Sequence, residues 1–364
     1  MREINIADKA IGQGRPCFVV AEMSANHNGS YERAVEILHA AKECGADAVK
    51  LQTYTADTIT LKSTEKHFQI EGGPWSGQTL YELYEEASTP WEWQPALKKE
   101  AERIGLILFS SPFDTKAVDF LARMDVPAYK IASFELVDLG LIQYVAKKGK
   151  PVIMSTGMAS LAEIEEAVRE VKDAGNENIV LLRCVSAYPA SSEDMNLVTI
   201  RHLESLFDCA VGLSDHTLGD EVAIAAATLG ARMIEKHFTL SRRDDGPDTA
   251  FSMEPSEFEN MVRKIRLVEK AIGKVSYELT EEEQRNRKLR RSLFVVEDMK
   301  RGETFSSENV KSLRPAAGLK PNLLKEVLGS VAAMDIEAGT PLKWEHVLRA
   351  KKIISDGSRE GDEL

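Results

Sequence analysis

Short apolar runs recur through the first three quarters of the chain. They stand at 17–22 (CFVVAE), 46–52 (ADAVKLQ), 106–110 (LILFS), 127–132 (PAYKIA), 151–155 (PVIMS), 178–184 (NIVLLRC), 209–214 (CAVGLS) and 231–236 (ARMIEK). Each is rich in Val, Ile and Leu and almost continuously apolar, as strands covered on both faces are. Helical patterns lie between them, the clearest being the stripe Leu161, Ile164, Ala167, Val168 and Val171. Ser160 and Glu163 form a capping box at its start and Gly175 stops it. Comparable helices fit 31–44, 91–104, 114–124, 138–148, 196–207, 219–229 and 255–271. Eight strand–helix units over about 250 residues are the count and size of a TIM (β/α)8 barrel. A doubly wound open sheet is the alternative, but it needs fewer units and a Gly-rich first turn that is missing here.

Beyond this region the pattern changes. Residues 274–291 (KVSYELTEEEQRNRKLRR) are charged and weakly periodic, as a linker or an exposed helix would be. An internal repeat follows: VEDMKRGETFSSENV at 296–310 aligns with AMDIEAGTPLKWEHV at 333–347, pairing Asp298 with Asp335, Gly302 with Gly339, Glu308 with Glu345 and Val310 with Val347. Two half-units of this size suit a small pseudo-symmetric β-rich domain, since solenoids need about three repeats. The expected division is a barrel over 1–273, a linker over 274–291, a small domain over 292–350 and a frayed tail over 351–364.

Composition narrows the function classes. Lys and Arg total 46 against 58 Asp and Glu, a net charge of −12 that argues against nucleic-acid or anionic-membrane binding. No apolar run approaches the roughly 18 residues of a membrane span, and MREINIADKA has no signal-peptide core. Cys17, Cys44, Cys184 and Cys209 show no CxxC spacing and read as reduced core residues of a cytoplasmic protein.

In a barrel of this kind the active site lies at the C-terminal ends of the strands. Polar residues gather at those ends: Glu22, Lys50, Gln52, Ser110, Ser111, Lys130, Ser133, Ser186, Tyr188, Ser214, His216, Glu235 and His237. A lysine inside an apolar strand needs an anionic partner, which is either a resident carboxylate or a bound phosphate or carboxylate. Two lysines at equivalent strand ends favour the bound anion. His216 and His237 end neighbouring strands, beside Asp215 and Glu235, and can share a metal with open positions. Imidazole and oxygen ligands without a thiolate suit Mn2+, with Mg2+ or Co2+ as substitutes. Asn26-His27-Asn28-Gly29 after the first strand is either a turn or part of the site.

Taken in order, AEMSANHNG, VKLQTY, PAYKIAS, STGMAS, GLSDHT, IEKHFT and GPD resemble the sialic acid synthase family, whose members condense phosphoenolpyruvate with an amino sugar. The resemblance spans the chain, since the small unit is similar to the antifreeze-protein-like (SAF) domain of those enzymes. EGGPWSGQTLYELYEEASTPWEW looks like the pseudaminic acid branch, and Ser186 stands where neuraminate synthases carry a sugar-contacting asparagine. The resemblance implies that Lys50 and Lys130, with Ser111, Ser133 and Ser214, hold phosphoenolpyruvate. It makes His216 and His237 the metal ligands, places Glu22 and Gln52 near metal and sugar, and gives Asp248 the sugar hydroxyls, with Tyr188 retained. Glu22 or Glu135 positions the water. Arg314 is similar to an arginine that enters the partner's site in a domain-swapped homodimer. Gly72, Gly73 and Pro74 set Trp75 on an exposed turn, where it can cover a deoxygenated sugar face. The rival readings are a neuraminate or legionaminate synthase, a barrel aldolase or Schiff-base lyase using Lys50 or Lys130, and a non-enzymatic carbohydrate- or ice-binding protein.

Overall fold

The computed structural model describes residues 3–348, which form two compact units divided between Gly273 and Lys274. The tail expected over 351–364 lies outside the described residues. The first unit opens with an antiparallel hairpin, β1 (Ile4–Ile6) and β2 (Lys9–Ile11). Eight parallel strands follow: β3 (Phe18–Glu22), β4 (Ala48–Thr53), β5 (Ile107–Pro112), β6 (Tyr129–Ile131), β7 (Val152–Ser155), β8 (Ile179–Cys184), β9 (Ala210–Asp215) and β10 (Met233–His237). They close into a barrel in which β10 pairs back onto β3, which excludes the open doubly wound sheet. Helices Tyr31–Glu43, Gln94–Arg103, Thr115–Arg123, Leu139–Ala146, Leu161–Asp173, Thr199–Phe207, Glu221–Thr228 and Pro255–Ile272 follow the strands in turn. The Ser160–Glu163 capping box is formed as expected.

Strand parity places the chemistry. Alternate residues of a strand face opposite sides, so one set fills the barrel and the other meets the helices. The inner set begins apolar, with Phe18, Val20, Ala48, Phe109, Ala128, Ile153, Val180, Leu182, Ala210 and Met233 in one buried cluster. Ile4, Ile6 and Ile11 of the hairpin join that cluster and close the N-terminal end of the barrel. Nothing in the sequence pattern marks this hairpin, because two strands of three residues are too short to stand out. Further along seven of the eight strands the same inward face turns polar: Glu22, Lys50, Ser111, Lys130, Ser155, Ser214 and Glu235, all buried, while β8 carries Cys184 there. Gly212 lies on that face as well. A Cβ there would stand 2.7 Å from Leu182 Cδ2 and overlap the Met233 carbonyl oxygen, so only glycine lets β9 and β10 pack this closely.

The second unit contains a short exposed helix, Glu281–Asn286, within the stretch expected as a linker. Strands β11 (Ser292–Val295) and β12 (Val310–Leu313) pair with each other, as do β13 (Val331–Ala332) and β14 (Val347–Leu348). The repeat seen in the sequence is a structural one. Asp298 Oδ1 accepts from the backbone N–H of Ala338 at 2.8 Å, and Asp335 Oδ1 accepts from that of Arg301 at 2.9 Å. Each half therefore uses its aspartate to clamp the equivalent backbone position of the other. Val295, Met299, Phe305, Val310, Ala332, Ile336, Leu342 and Val347 share one core, again drawn from matching positions of the two halves.

Candidate active site

Four charged side chains meet inside the C-terminal end of the barrel. Register sets Glu22 of β3 beside Lys50 of β4. Lys50 Nζ lies 2.6 Å from Glu22 Oε2 and 3.7 Å from Glu235 Oε1. Lys130 Nζ donates to both carboxylate oxygens of Glu235, at 2.8 and 3.1 Å. The sequence favoured a bound anion as the reason for these embedded lysines. Each already has a resident carboxylate, so their burial alone does not require one. Burial pulls Lys50 down, but Glu22 and Glu235 outweigh it and hold the ammonium charged. Burial and the charge of Lys50 together leave Lys130 below its ordinary value despite Glu235. Burial raises Glu22 against the pull of Lys50. It raises Glu235 too, but Lys130 and Lys50 prevail and hold that carboxyl at about 2. Gln52 Nε2 donates to Glu22 Oε1 at 2.8 Å and to Ser24 Oγ at 3.0 Å. Ser111 Oγ accepts from Lys50 at 3.4 Å, and Ser214 Oγ donates to Glu235 at 3.3 Å.

A hydroxyl-lined hollow adjoins the charges. The backbone N–H of Gly157 donates to Ser133 Oγ at 3.1 Å. A Cβ on Gly157 would stand 2.7 Å from that oxygen and overlap Ser186 Oγ, so the hollow exists only because residue 157 is glycine. Ser155 Oγ is buried without a partner, as is Glu135 Oε2. Burial, with Asp138 adding to it, pushes Glu135 up to about 7, against its own backbone hydrogen bond and the pull of Lys130.

His216 and His237 stand at the ends of β9 and β10 with ring centroids 5.4 Å apart. His216 Nδ1–H donates to the Val185 carbonyl at 2.8 Å, which fixes the tautomer and leaves Nε2 with a lone pair to give. Burial pulls His216 down, but Cys184 and that carbonyl hold it above its ordinary value. His237 Nδ1 is buried with no hydrogen-bond partner. Burial and the neighbouring cations hold His237 well below its ordinary value, so it is neutral. Asp248 Oδ2 lies 4.0 Å from that nitrogen and accepts from Ser24 Oγ and the Ala25 N–H. Burial, the dominant influence, raises Asp248. A lone-pair imidazole, an orphaned ring nitrogen and a nearby carboxylate fit a divalent cation. No group of three or more His, Cys, Asp or Glu among the described residues is arranged to enclose one. An ion there therefore needs solvent or substrate oxygens to complete its shell.

Asp215 differs from expectation, and Cys184 and His27 take places that the sequence left open. Asp215 faces the helices, where Lys236 Nζ donates to it at 2.7 Å, so it does not support the histidine pair. Parity explains this, since Asp215 sits between the inward Ser214 and His216. Cys184 is not remote core: its Sγ lies 3.9 Å from His216 Nδ1. Burial raises this thiol, but His216, Ser133 and Lys130 outweigh it and bring it to about 7. It stands on the Nδ1 side of the ring, away from the lone-pair nitrogen. His27 is structural, taking the Gly29 N–H on Nδ1 and binding Thr89 Oγ1 through Nε2, each at 3.1 Å. Burial keeps it neutral, with its value down to about 4.

Glu22, Lys50, Gln52, Ser111, Lys130, Ser133, Glu135, Ser186, Tyr188, Ser214, His216, His237 and Asp248 all belong to this end of the barrel. Arg314 belongs to the second unit, where it is exposed immediately after β12. Outside the candidate residues named from the sequence stand Ser155 and Gly157, both within the STGMAS motif, and Phe251. Gly157 shapes the hollow, and Phe251 packs its ring 5.1 Å from His237 and 5.2 Å from Tyr188. Glu235 was visible as a polar strand end, though not as the carboxylate shared by two lysines.

Residues 37–277 match the NeuB family, and residues 290–348 match the SAF domain. The chain belongs to the NeuB family. It is 46% identical over 326 residues to the pseudaminic acid synthase of Campylobacter jejuni subsp. jejuni serotype O:23/36 (strain 81-176), covering 90% of this chain and 95% of that one. It is 45% identical over 337 residues to the pseudaminic acid synthase of Helicobacter pylori, covering 92% and 99%. Among solved structures it resembles the N-acetylneuraminic acid synthetase of Leptospira borgpetersenii serovar Hardjo-bovis, with a TM-score of 0.70, 31% identity and coverage of 78% and 95%. The family resemblance carried by the seven motifs is thereby borne out, together with the barrel and the SAF domain. No helix among the described residues is long and apolar enough to cross a membrane.

Proposed function

We propose that this chain condenses phosphoenolpyruvate with 2,4-diacetamido-2,4,6-trideoxy-L-altrose and water to give pseudaminic acid and phosphate. The observation that carries the reading is the joint presence, at one barrel end, of two buried lysines, a hydroxyl-lined hollow and a histidine pair, in a chain 46% identical to a pseudaminic acid synthase. Lys50 and Lys130, with Ser111, Ser133, Ser155 and Ser214, receive the phosphate and carboxylate of phosphoenolpyruvate. Because Lys50 and Lys130 are fixed beforehand by Glu22 and Glu235, they stabilise developing charge without reorganising. Gln52, Ser186, Tyr188 and Asp248 bind the sugar. His216 and His237 hold a divalent metal, Mn2+ first and Mg2+ or Co2+ as substitutes, which when bound supplies Lewis-acid polarisation of the sugar aldehyde.

The enol carbon of phosphoenolpyruvate attacks the aldehyde carbon, and water adds to the adjoining cationic carbon. The tetrahedral intermediate then expels phosphate by carbon–oxygen cleavage. Glu22 or Glu135 takes the proton of that water. Glu135 is suited to this role, since a carboxyl near 7 is a usable base at neutral pH. Its sign is definite: the raised carboxyl is protonated below about pH 7, so kcat/KM rises with pH through that region. Glu135→Gln should lower kcat roughly a hundredfold and remove that limb of the profile. An unchanged limb in the variant assigns the base elsewhere.

Product analysis tests the reaction itself. With phosphoenolpyruvate and a panel of sugars, the product should be pseudaminic acid, and N-acetylmannosamine should be turned over at least tenfold less efficiently. Equal or better turnover of N-acetylmannosamine moves the chain to the neuraminate branch.

We further infer a homodimer in which Arg314 enters the partner's site. Support comes from large apolar side chains left exposed in the loops after β6, β7 and β9, namely Phe134, Met158 and Leu218, each about 60% exposed. Such a rim at the mouth of a site is a surface that another chain covers. Mixing inactive Arg314→Ala with inactive Lys130→Ala chains should recover part of the activity, because some mixed dimers hold one intact site. No recovery after verified subunit exchange counts against it.

A further inference from the structure

We infer that Trp75, Tyr188 and Phe251 form a two-layer aromatic wall that reads the sugar by distance from its aldehyde, the inner rings at the C2 acetamido group and Trp75 at the deoxygenated C6 end. The inference rests on the proposed condensation, which puts the aldehyde at the histidine pair. The inner layer touches that pair directly. Tyr188 packs 4.3 Å from His216 and 6.1 Å from His237, ring centroid to centroid, while Phe251 packs 5.1 Å from His237. Trp75 is one ring further out, 5.5 Å from Tyr188 and 6.2 Å from Phe251.

The wall is held by loops from opposite parts of the sequence. The Trp75 indole N–H donates to the Pro247 carbonyl at 2.8 Å, pinning the long loop after β4 onto the loop after β10. Gly72, Gly73 and Gly77 take positive φ around it, a conformation that lets the turn present its ring. Phe251 is set by the turn Thr249–Phe251, where Ser252 Oγ donates to the Asp248 carbonyl at 2.6 Å and Asn26 Nδ2 donates to Ser252 Oγ at 2.9 Å.

An open-chain six-carbon sugar with its aldehyde at the imidazoles carries its C2 substituent beside the rings that touch them. Its C6 lies five bonds along the chain, at the ring beyond. Phe251 has no polar atom, and the one polar atom of the Trp75 side chain is already bonded to Pro247. A methyl group against the Trp75 face therefore loses nothing, whereas a hydroxyl there gives up water for a ring that offers it no free donor or acceptor. One such unpartnered hydroxyl lowers efficiency roughly tenfold to hundredfold. The acetamido methyl at C2 is common to all candidate sugars, so the inner layer supports binding without discriminating at C6.

The experiment compares kcat/KM for 2,4-diacetamido-2,4,6-trideoxy-L-altrose with that for its counterpart bearing a C6 hydroxyl, which differs at that one position. Wild type should favour the deoxy sugar by at least tenfold. Trp75→Ala should bring that ratio close to one, mainly through a higher KM for the deoxy sugar, and Trp75→Phe should keep most of it. Phe251→Leu should weaken both sugars equally and leave the ratio intact. In every variant the KM for phosphoenolpyruvate should stay within about twofold of wild type, which shows that the site is still formed. A ratio unchanged by Trp75→Ala, or altered by Phe251→Leu, overturns the layered wall. Failure of the underlying reaction gives a different result: wild type then releases no phosphate and forms no condensation product from either sugar.

Discussion

Replacing either His216 or His237 by alanine should lower phosphate release by at least about a thousandfold, because a metal Lewis acid contributes several kcal/mol and each 1.36 kcal/mol is a decade of rate. The loss should appear first in binding. His237 is neutral with an unpartnered ring nitrogen, and His216 has its Nδ1–H committed to Val185. Mn2+ titrated into protein without substrates should bind wild type and neither variant, and chelation of wild type should be reversed by Mn2+. Affinity should fall as the pH drops, since binding an ion competes with a proton on His216, whose value is raised. Both variants should unfold at temperatures close to wild type, because neither imidazole anchors the hydrophobic core. A single variant that keeps its Mn2+ and its activity after chelation and dialysis overturns the assignment.

The barrel was readable in the sequence because strands covered on both faces cannot hide their composition. Each apolar run ended in polar residues where the inward face meets the site, and most of the candidate residues were found at those ends. Parity would have gone further. Counting every second residue back from His216 and His237 separates Ser214 and Glu235, which face the barrel interior, from Asp215 and Lys236, which pair with each other behind the barrel wall. What could not be read was the partner of each charge. Lys130 and Glu235 lie 105 residues apart and meet only because the barrel closes. The roles of Gly157 and Phe251 are hidden for a similar reason, since a glycine matters here for the serines it faces and a lone phenylalanine for the rings it joins. The N-terminal hairpin leaves no mark in the sequence, three residues per strand being below what alternation can show.

The pairing of Lys130 with Glu235 raises a question that a double substitution answers: whether the lysine is there for the carboxylate or for the substrate. Lys130→Met alone should leave Glu235 buried with only the more distant Lys50 at 3.7 Å, which destabilises the fold by about 3–5 kcal/mol. Adding Glu235→Gln removes the stranded charge and leaves an amide that can still accept from Ser214 Oγ. Thermal stability should then return most of the way to wild type, because replacing both members of a buried ion pair is close to neutral. Activity should not return. If Lys130 is a substrate donor, the double variant has lost a fixed cation aimed at phosphoenolpyruvate, and kcat/KM should stay down by about a hundredfold or more, the usual loss for one preorganised donor. A structural lysine predicts the opposite, with activity recovering in step with stability. Measuring both on the same preparations separates the two cases, since one restores the fold alone and the other restores the fold and the chemistry together.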